Sequence, residues 1–213
     1  MPLVVLDVVS TTQTRNAPQN RRALPDRLRA VALALAALLL LGGCSVPWKV
    51  VRQSGPPSAL VGASAAAIQF DYSTMLVEGM SQDAWVSQQT AKEAEYAKTW
   101  AELKARFEET YLNGFREEWG TAARLAEGAA KPAGTVLVQV KVNSLDMGHF
   151  IPFATTNSQV TVNVVWDVQA PDDEIMVSGT DTPSPVNVSI FQHIGNIGQY
   201  LGKTSAEFLK SKQ

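Results

Sequence analysis

Val136-Leu137-Val138-Gln139-Val140-Lys141-Val142-Asn143 is the stretch that decides the fold. Valine recurs at every second position and the residues between turn polar, which is the period of a strand with one face buried and the other wet. Such a strand needs neighbours. Downstream, Val160, Val162, Val164, Trp166 and Val168 alternate with Thr161, Asn163, Val165 and Asp167, a second strand of the same kind. Ala170-Pro171-Asp172-Asp173 is turn chemistry, so Glu174 to Gly179 is expected to pair back as a hairpin. Upstream, Ala66, Ile68, Phe70 and Tyr72 face one way and Gln69, Asp71 and Ser73 the other, giving a first strand from Ser64.

Helices supply the cover. Tyr96, Trp100, Leu103, Phe107, Tyr111 and Phe115 recur at spacings of three and four and make one apolar stripe. Thr90-Ala91-Lys92-Glu93 has the form of a capping box and places the helix start there, with Glu102 and Arg106 an i,i+4 pair on the wet side. Gly120 to Gly134, rich in Ala and Gly, reads as a loose connection. Ile190, Ile194, Ile197, Leu201, Ser205 and Phe208 form the stripe of a last helix, whose basic end, Lys203, Lys210 and Lys212, suits the helix dipole. Gly195, Gly198 and Gly202 within it are expected to let the helix approach the sheet closely. The predicted class is α+β: a small mixed or antiparallel sheet of about four strands covered by two helices, in the order strand-helix-strand-strand-strand-helix, as one globular domain over residues 63–213.

Residues 44–62 contain Pro47, Gly55, Pro56, Pro57 and Gly62 without periodicity and read as a tether, with an r.m.s. span of roughly 20 to 25 Å if flexible. Trp48, with Lys49 and Arg52 close by, suits either a membrane interface or plain exposure to solvent. Ahead of the tether lie Arg21, Arg22, Arg27 and Arg29, then twelve apolar residues from Ala30 to Leu41, then Gly42 and Gly43 before Cys44. These are the basic region, apolar region and cleavage site of a secretory signal. Twelve residues at about 1.5 Å rise span roughly 18 Å as a helix, short of the ~30 Å bilayer core, so the segment is too short for a stable transmembrane span. Residues 1–43 are thus expected to be a signal peptide whose basic region is extended by Met1 to Asn20, or whose start is placed too early.

Leu41-Gly42-Gly43-Cys44 resembles the lipobox of bacterial lipoproteins. The resemblance implies cleavage between Gly43 and Cys44 and attachment of palmitate-type acyl chains to Cys44. At ~0.8 kcal/mol per buried CH₂, two or three such chains anchor a protein durably to a membrane. The chain would then face the periplasm of the cell envelope. Ser45 after the cysteine, in place of the Asp that retains lipoproteins in the inner membrane of enteric bacteria, favours the outer membrane.

Composition removes several function classes. The chain of 213 residues carries 18 Lys+Arg against 20 Asp+Glu; the five Arg and two acids of residues 1–43 leave a mature part with 13 basic and 18 acidic residues. That balance opposes nucleic-acid binding. One Cys cannot form an intramolecular disulfide, and with only His149 and His193 there is no metal-ligand cluster of the usual spacing, so no metal or cofactor is expected. Neither histidine sits in a catalytic motif. Glu108-Glu109, Glu117-Glu118 and Asp172-Asp173 are adjacent pairs that diverge on a helix or sit in a turn, and read as solvating charge. The expectation is a non-enzymatic, lipid-anchored periplasmic binding or adaptor lipoprotein with an envelope protein as partner. The alternatives are an auxiliary subunit of an envelope transport or secretion complex, or an envelope hydrolase.

The element order behind the lipobox resembles the small α/β domain of periplasmic lipoproteins similar to the TolB amino-terminal domain and to the lipoprotein activators of penicillin-binding proteins. A closer resemblance is to a family of bacterial lipoproteins of unknown function. It rests on Val138 to Gly148, on Val160 to Gly179 with its Asp167 to Glu174 hairpin, and on Ile194-Gly195-x-x-Gly198. It covers the last 80 residues or so and the first helix loosely, and carries over no functional residue except the acylated cysteine. Gly148 to Asn157 departs from it, being apolar where such domains are more often Gly-rich.

That loop holds the one feature with a use of its own. His149, Phe150, Ile151 and Phe153, with Pro152 among them, place large apolar side chains in a strand-to-strand connection, where exposure forgoes roughly 1.5 to 3 kcal/mol of burial for each. Either the loop folds back over the open end of the core, or it docks on a protein partner or a membrane surface. Replacing Phe150 and Phe153 with Ser separates the two. Docking predicts lost partner binding at an unchanged melting temperature; a core cover predicts a lowered melting temperature with binding intact.

Overall fold

The computed structural model describes residues 48–53, 60–148, 157–166, 173–181 and 189–213. Among them run eight strands: β1 (Trp48–Arg52), β2 (Ala65–Asp71), β3 (Leu76–Val77), β4 (Met80–Ser81), β5 (Thr121–Arg124), β6 (Thr135–Asp146), β7 (Ser158–Trp166) and β8 (Asp173–Asp181). Three helices accompany them: α1 (Gln82–Thr90), α2 (Tyr96–Trp119) and α3 (Ile190–Lys210). The class is α+β. One open, mixed sheet has the order β1-β8-β7-β6-β2-β5, with β3 beside the far end of β6 and β4 beside β3. β6, β7 and β8 form an antiparallel meander, whereas β2 lies parallel to both β6 and β5. Parallel neighbours need a long crossover, and α1 with α2 provides it.

The four strands legible from alternation are β2, β6, β7 and β8; the expectation of about four strands and two helices is corrected by four short strands and by α1. β5 is Thr-Ala-Ala-Arg, which has no strand composition of its own and is held as an edge by pairing with Ala65 to Ile68. β3 and β4 are joined by Glu78-Gly79, both at positive φ (50° and 77°), the two-residue turn whose twist matches a hairpin. Glu78 tolerates that backbone while its carboxylate accepts the Met147 amide at 2.6 Å, which ties the hairpin to the end of β6.

Within residues 44–62, expected as a tether, the described Trp48 to Arg52 form a strand. Trp48 to Arg52 pairs antiparallel with β8 as an edge strand, Trp48 opposite Val177 and Arg52 opposite Glu174. Trp48 lies half-buried, its ring 5.4 Å from that of Phe208, which in turn lies 5.4 Å from Trp166. Leu60 is fully buried in the core. The strand-forming Trp-Lys-Val-Val-Arg, free of Pro and Gly, finds a β8 edge to pair with and an aromatic pair to pack on. Thr90 likewise does not start the long helix: it ends α1, and α2 begins at Tyr96, the first residue of the stripe, with no side-chain cap at Glu95. Arg106 binds Glu109 at 3.1 Å instead of Glu102.

The core lies between one face of the sheet and the helices. Val138, Val140, Val162, Val164, Ile175 and Val177 are fully buried beneath Phe107, Tyr111, Ile197 and Leu201. On the opposite face a polar rung crosses the strands: Asn143 Nδ2 donates to Asn163 Oδ1 at 2.7 Å, Asn163 Nδ2 to Glu174 Oε1 at 2.5 Å, and Arg52 pairs with Glu174 at 3.6 Å.

The glycines of α3 serve a different neighbour from the one expected. A Cβ on Gly202 would overlap the Tyr111 carbonyl oxygen, one on Gly198 the Thr110 hydroxyl, and one on Gly114 the Gln199 carbonyl oxygen. The close approach is therefore of α3 to α2, two helices running in the same direction in backbone contact. Toward the sheet the small residue comes from the strand, Gly179, where a Cβ would stand 2.9 Å from Ile197. Gly195 differs, because its nearest neighbour is the far end of the long Arg106 side chain, 3.2 Å away, which can shift where backbone cannot. Gly202→Ala is expected to destabilise the fold by about 1 to 3 kcal/mol or more through overpacking, whereas Gly195→Ala gains up to about 1 kcal/mol of helix propensity. Chemical denaturation of the two variants checks the opposite signs.

Candidate functional site

Glu108 follows Phe107 on α2 and so lies at the margin of the apolar stripe. Helix geometry carries it under the sheet edge: its side chain is 10% exposed, while that of adjacent Glu109 is 62% exposed. The expected reading of this pair as solvating charge therefore holds for Glu109 and fails for Glu108. β5 brings Arg124 against it, with Nε donating to Glu108 Oε2 at 2.7 Å. Tyr72, just past β2, lays its buried hydroxyl beside the carboxylate without a hydrogen bond of good geometry. Lys104, one helical turn before Glu108, sits 5.0 Å from the Tyr72 ring centroid and donates to Gln82 at 3.4 Å.

Burial pushes the Glu108 carboxyl above the ordinary carboxylate range, and the Arg124 charge, Tyr72 and Lys104 pull against it. Burial first, and then the Glu108 charge, push the Tyr72 phenol upward. Asp71, one residue earlier, is held below the usual range by Ser73, whose backbone amide donates to Oδ1 at 2.9 Å. Glu108, Tyr72, Lys104 and Arg124 open on a groove of about 340 Å³ that Phe70 and Glu127 also line. A perturbed carboxyl beside a largely exposed guanidinium is equipped to hold a polar ligand. Acid-base work needs a second group at a set distance. Glu127, the other carboxylate of this groove, is exposed on the loop after β5 and has no hydrogen bond or ion pair among the described residues.

A second polar cluster joins β8 to α3. His193 is buried, and its Nδ1 lies 2.9 Å from Asp181 Oδ2, which also accepts Asn196 Nδ2 at 2.9 Å. With Ser189 capping the helix, this bond pins the first turn of α3 to the sheet. His193 makes no hydrogen bond to a hydroxyl or thiol among the described residues, and no group of three His, Cys, Asp or Glu there can hold a metal.

Gly43, Cys44, His149, Phe150, Ile151 and Phe153 lie outside the described residues. The structure does describe the base of the loop that carries the last four: Glu78 holds the Met147 amide, and Ser158 Oγ donates to the Met147 carbonyl at 2.5 Å. Glu108 escapes a reading of the sequence because its burial depends on Arg124, in a strand without a strand signal. The available hint is its position between Phe107 and Tyr111, i+4 from Lys104 and i−4 from buried Leu112.

No protein family matches the sequence, and no curated protein is significantly similar to it. Among solved structures, the PelC dodecamer from Paraburkholderia phytofirmans in space group P6 is similar over 73% of this chain and 97% of that chain, with 13% identity and a TM-score of 0.40. A substituted PelC dodecamer from the same organism, in space group C2, is similar over the same shares with 12% identity and a TM-score of 0.39.

A raised Glu108 pKa has a definite sign in stability. The folded chain binds this proton more tightly than the unfolded chain, so the carboxyl costs stability as pH rises above its ordinary value of 4.5. Glu108→Gln removes that dependence. The variant is expected to gain on the wild type as pH rises from 4.5 toward neutrality. Melting temperatures of the two across this range check it, and a constant difference contradicts it.

Proposed function

We propose that this chain is a lipid-anchored lipoprotein of the bacterial cell envelope, held through acyl chains on Cys44, facing the periplasm from the outer membrane, and binding or positioning another envelope component without chemistry of its own. One observation carries the reading: the only cysteine stands directly after Leu41-Gly42-Gly43, at the end of a basic stretch and a twelve-residue apolar run. The α+β domain that follows is consistent with a binding role, since its groove offers a guanidinium, a carboxyl and aromatic walls to a polar ligand. Kinship with the domain of TolB-like and penicillin-binding-protein-activator lipoproteins belongs to the same proposal. Its support is the order of the longer elements, β2, α2, β6, β7, β8 and α3.

Expression of the full chain in a Gram-negative host, followed by intact mass of the membrane fraction, tests the anchor. The expected product begins at Cys44, carries the mass of its acyl chains, and becomes unacylated in Cys44→Ala. An unmodified Cys44 in the wild-type product contradicts the proposal. Cross-linking in the same cells is expected to yield a protein partner that is lost with the anchor.

A further inference from the structure

We propose that the end of the sheet where β6 finishes, β7 starts and β8 passes into α3 is the lipid-facing surface of the domain. The inference rests on the reading of Cys44 as the acylated residue and adds to it an orientation. β1 begins at Trp48, four residue steps past Cys44. Four steps of at most ~3.6 Å place Trp48 within about 14 Å of the acylated cysteine, too short a reach for a domain on a stalk. The domain is held against the bilayer, and its orientation follows from where the chain enters it.

The direction of β1 supplies that orientation. β1 is antiparallel to β8, with Trp48 opposite Val177 and Arg52 opposite Glu174, so its amino-terminal end points the way β8 runs, toward Asp181. At that end Asp146 of β6 lies opposite Gln159 of β7, Ser158 opposite Asp181, and Leu76 of β3 opposite Ser144. α2 and α3 also begin there, since Tyr96, Met147, Ile190 and Phe191 line one pocket of about 240 Å³.

The surface chemistry of this end fits hydrocarbon and headgroups. Met147, Ile190, Phe191 and Tyr96 are partly buried against the core, and Leu76 is 46% exposed. Aromatic and aliphatic side chains that keep partial exposure at one end of a domain gain most where water gives way to lipid. At the opposite end the helices finish, with Glu117, Glu118, Lys210 and Lys212. The near end carries charge as well, in Glu78, Asp146 and Asp181, so its apolar side chains add to an orientation that the direction of β1 and the short reach from Cys44 set.

The test places a photo-activatable phenylalanine analogue singly at Phe191, Leu76, Glu118 and Lys210 of the full chain, irradiates intact cells, and reads lipid adducts and Cys44 acylation by mass spectrometry in the same sample. Acylated protein with lipid adducts at Phe191 and Leu76 several-fold above those at Glu118 and Lys210 is the expected result. Because Leu76 is exposed, its variant stays informative if the Phe191 variant folds poorly. Acylated protein with equal adducts at both ends, with none at Leu76 and Phe191, or with protein adducts in their place, overturns the orientation alone. Unacylated Cys44 overturns the anchoring reading and this inference with it.

Discussion

The backbone contact between α2 and α3 is the constraint on which the rest of the structure depends. Gly114, Gly198 and Gly202 leave no room for a side chain between the two helices. Helices packed through full side chains lie 8 to 10 Å apart; glycine contacts bring them nearer. The aromatic stripe of α2 and the aliphatic stripe of α3 then merge into one surface over the β6 to β8 meander. Gly195, Gly198 and Gly202 within α3 cost propensity, which isolated helix formation would resist, so α3 is made stable by what it touches.

The same tight pairing explains where polar groups end up. With α3 drawn over the sheet, its first turn meets Asp181, and His193 and Asn196 share that carboxylate. At the other flank, α2 covers β2 only up to the margin of its stripe, so Glu108 falls partly under the sheet edge and recruits Arg124. The salt bridge offsets burial only in part, because the guanidinium stays largely in water and is screened there. The groove beside it is consequently polar, open and charged on both sides.

The edge strand β1 changes the character of the proposed anchor. A flexible tether decouples a domain from its membrane. A strand that begins four residues after the cysteine converts attachment into orientation, because the covalent reach is shorter than the domain is wide. Trp48 pairs with Phe208 in the core margin, so its aromatic surface holds the strand to the fold.

Much of this was legible from residues 64 to 213, because alternation and the three-to-four spacing are local signals. Val136 to Val142 declared β6, the Tyr96 to Phe115 stripe declared α2, and Pro171-Asp172 declared the β7 to β8 hairpin. The signal-like segment and Cys44 are sequence properties too, and rest on no fold. What tertiary structure alone decided is non-local. β5 exists because the β2 edge was free to pair, and its Thr-Ala-Ala-Arg carries no trace of it, while the strand-forming Trp-Lys-Val-Val-Arg of β1 has its partner only in the distant β8 edge. The sequence declared that the α3 glycines mark a close approach, but that their neighbour is α2 depends on residues some ninety positions away. Glu108 is buried by Arg124 and Tyr72, sixteen and thirty-six residues distant, and a carboxylate's neighbours, not its own type or spacing, determine its burial and its proton.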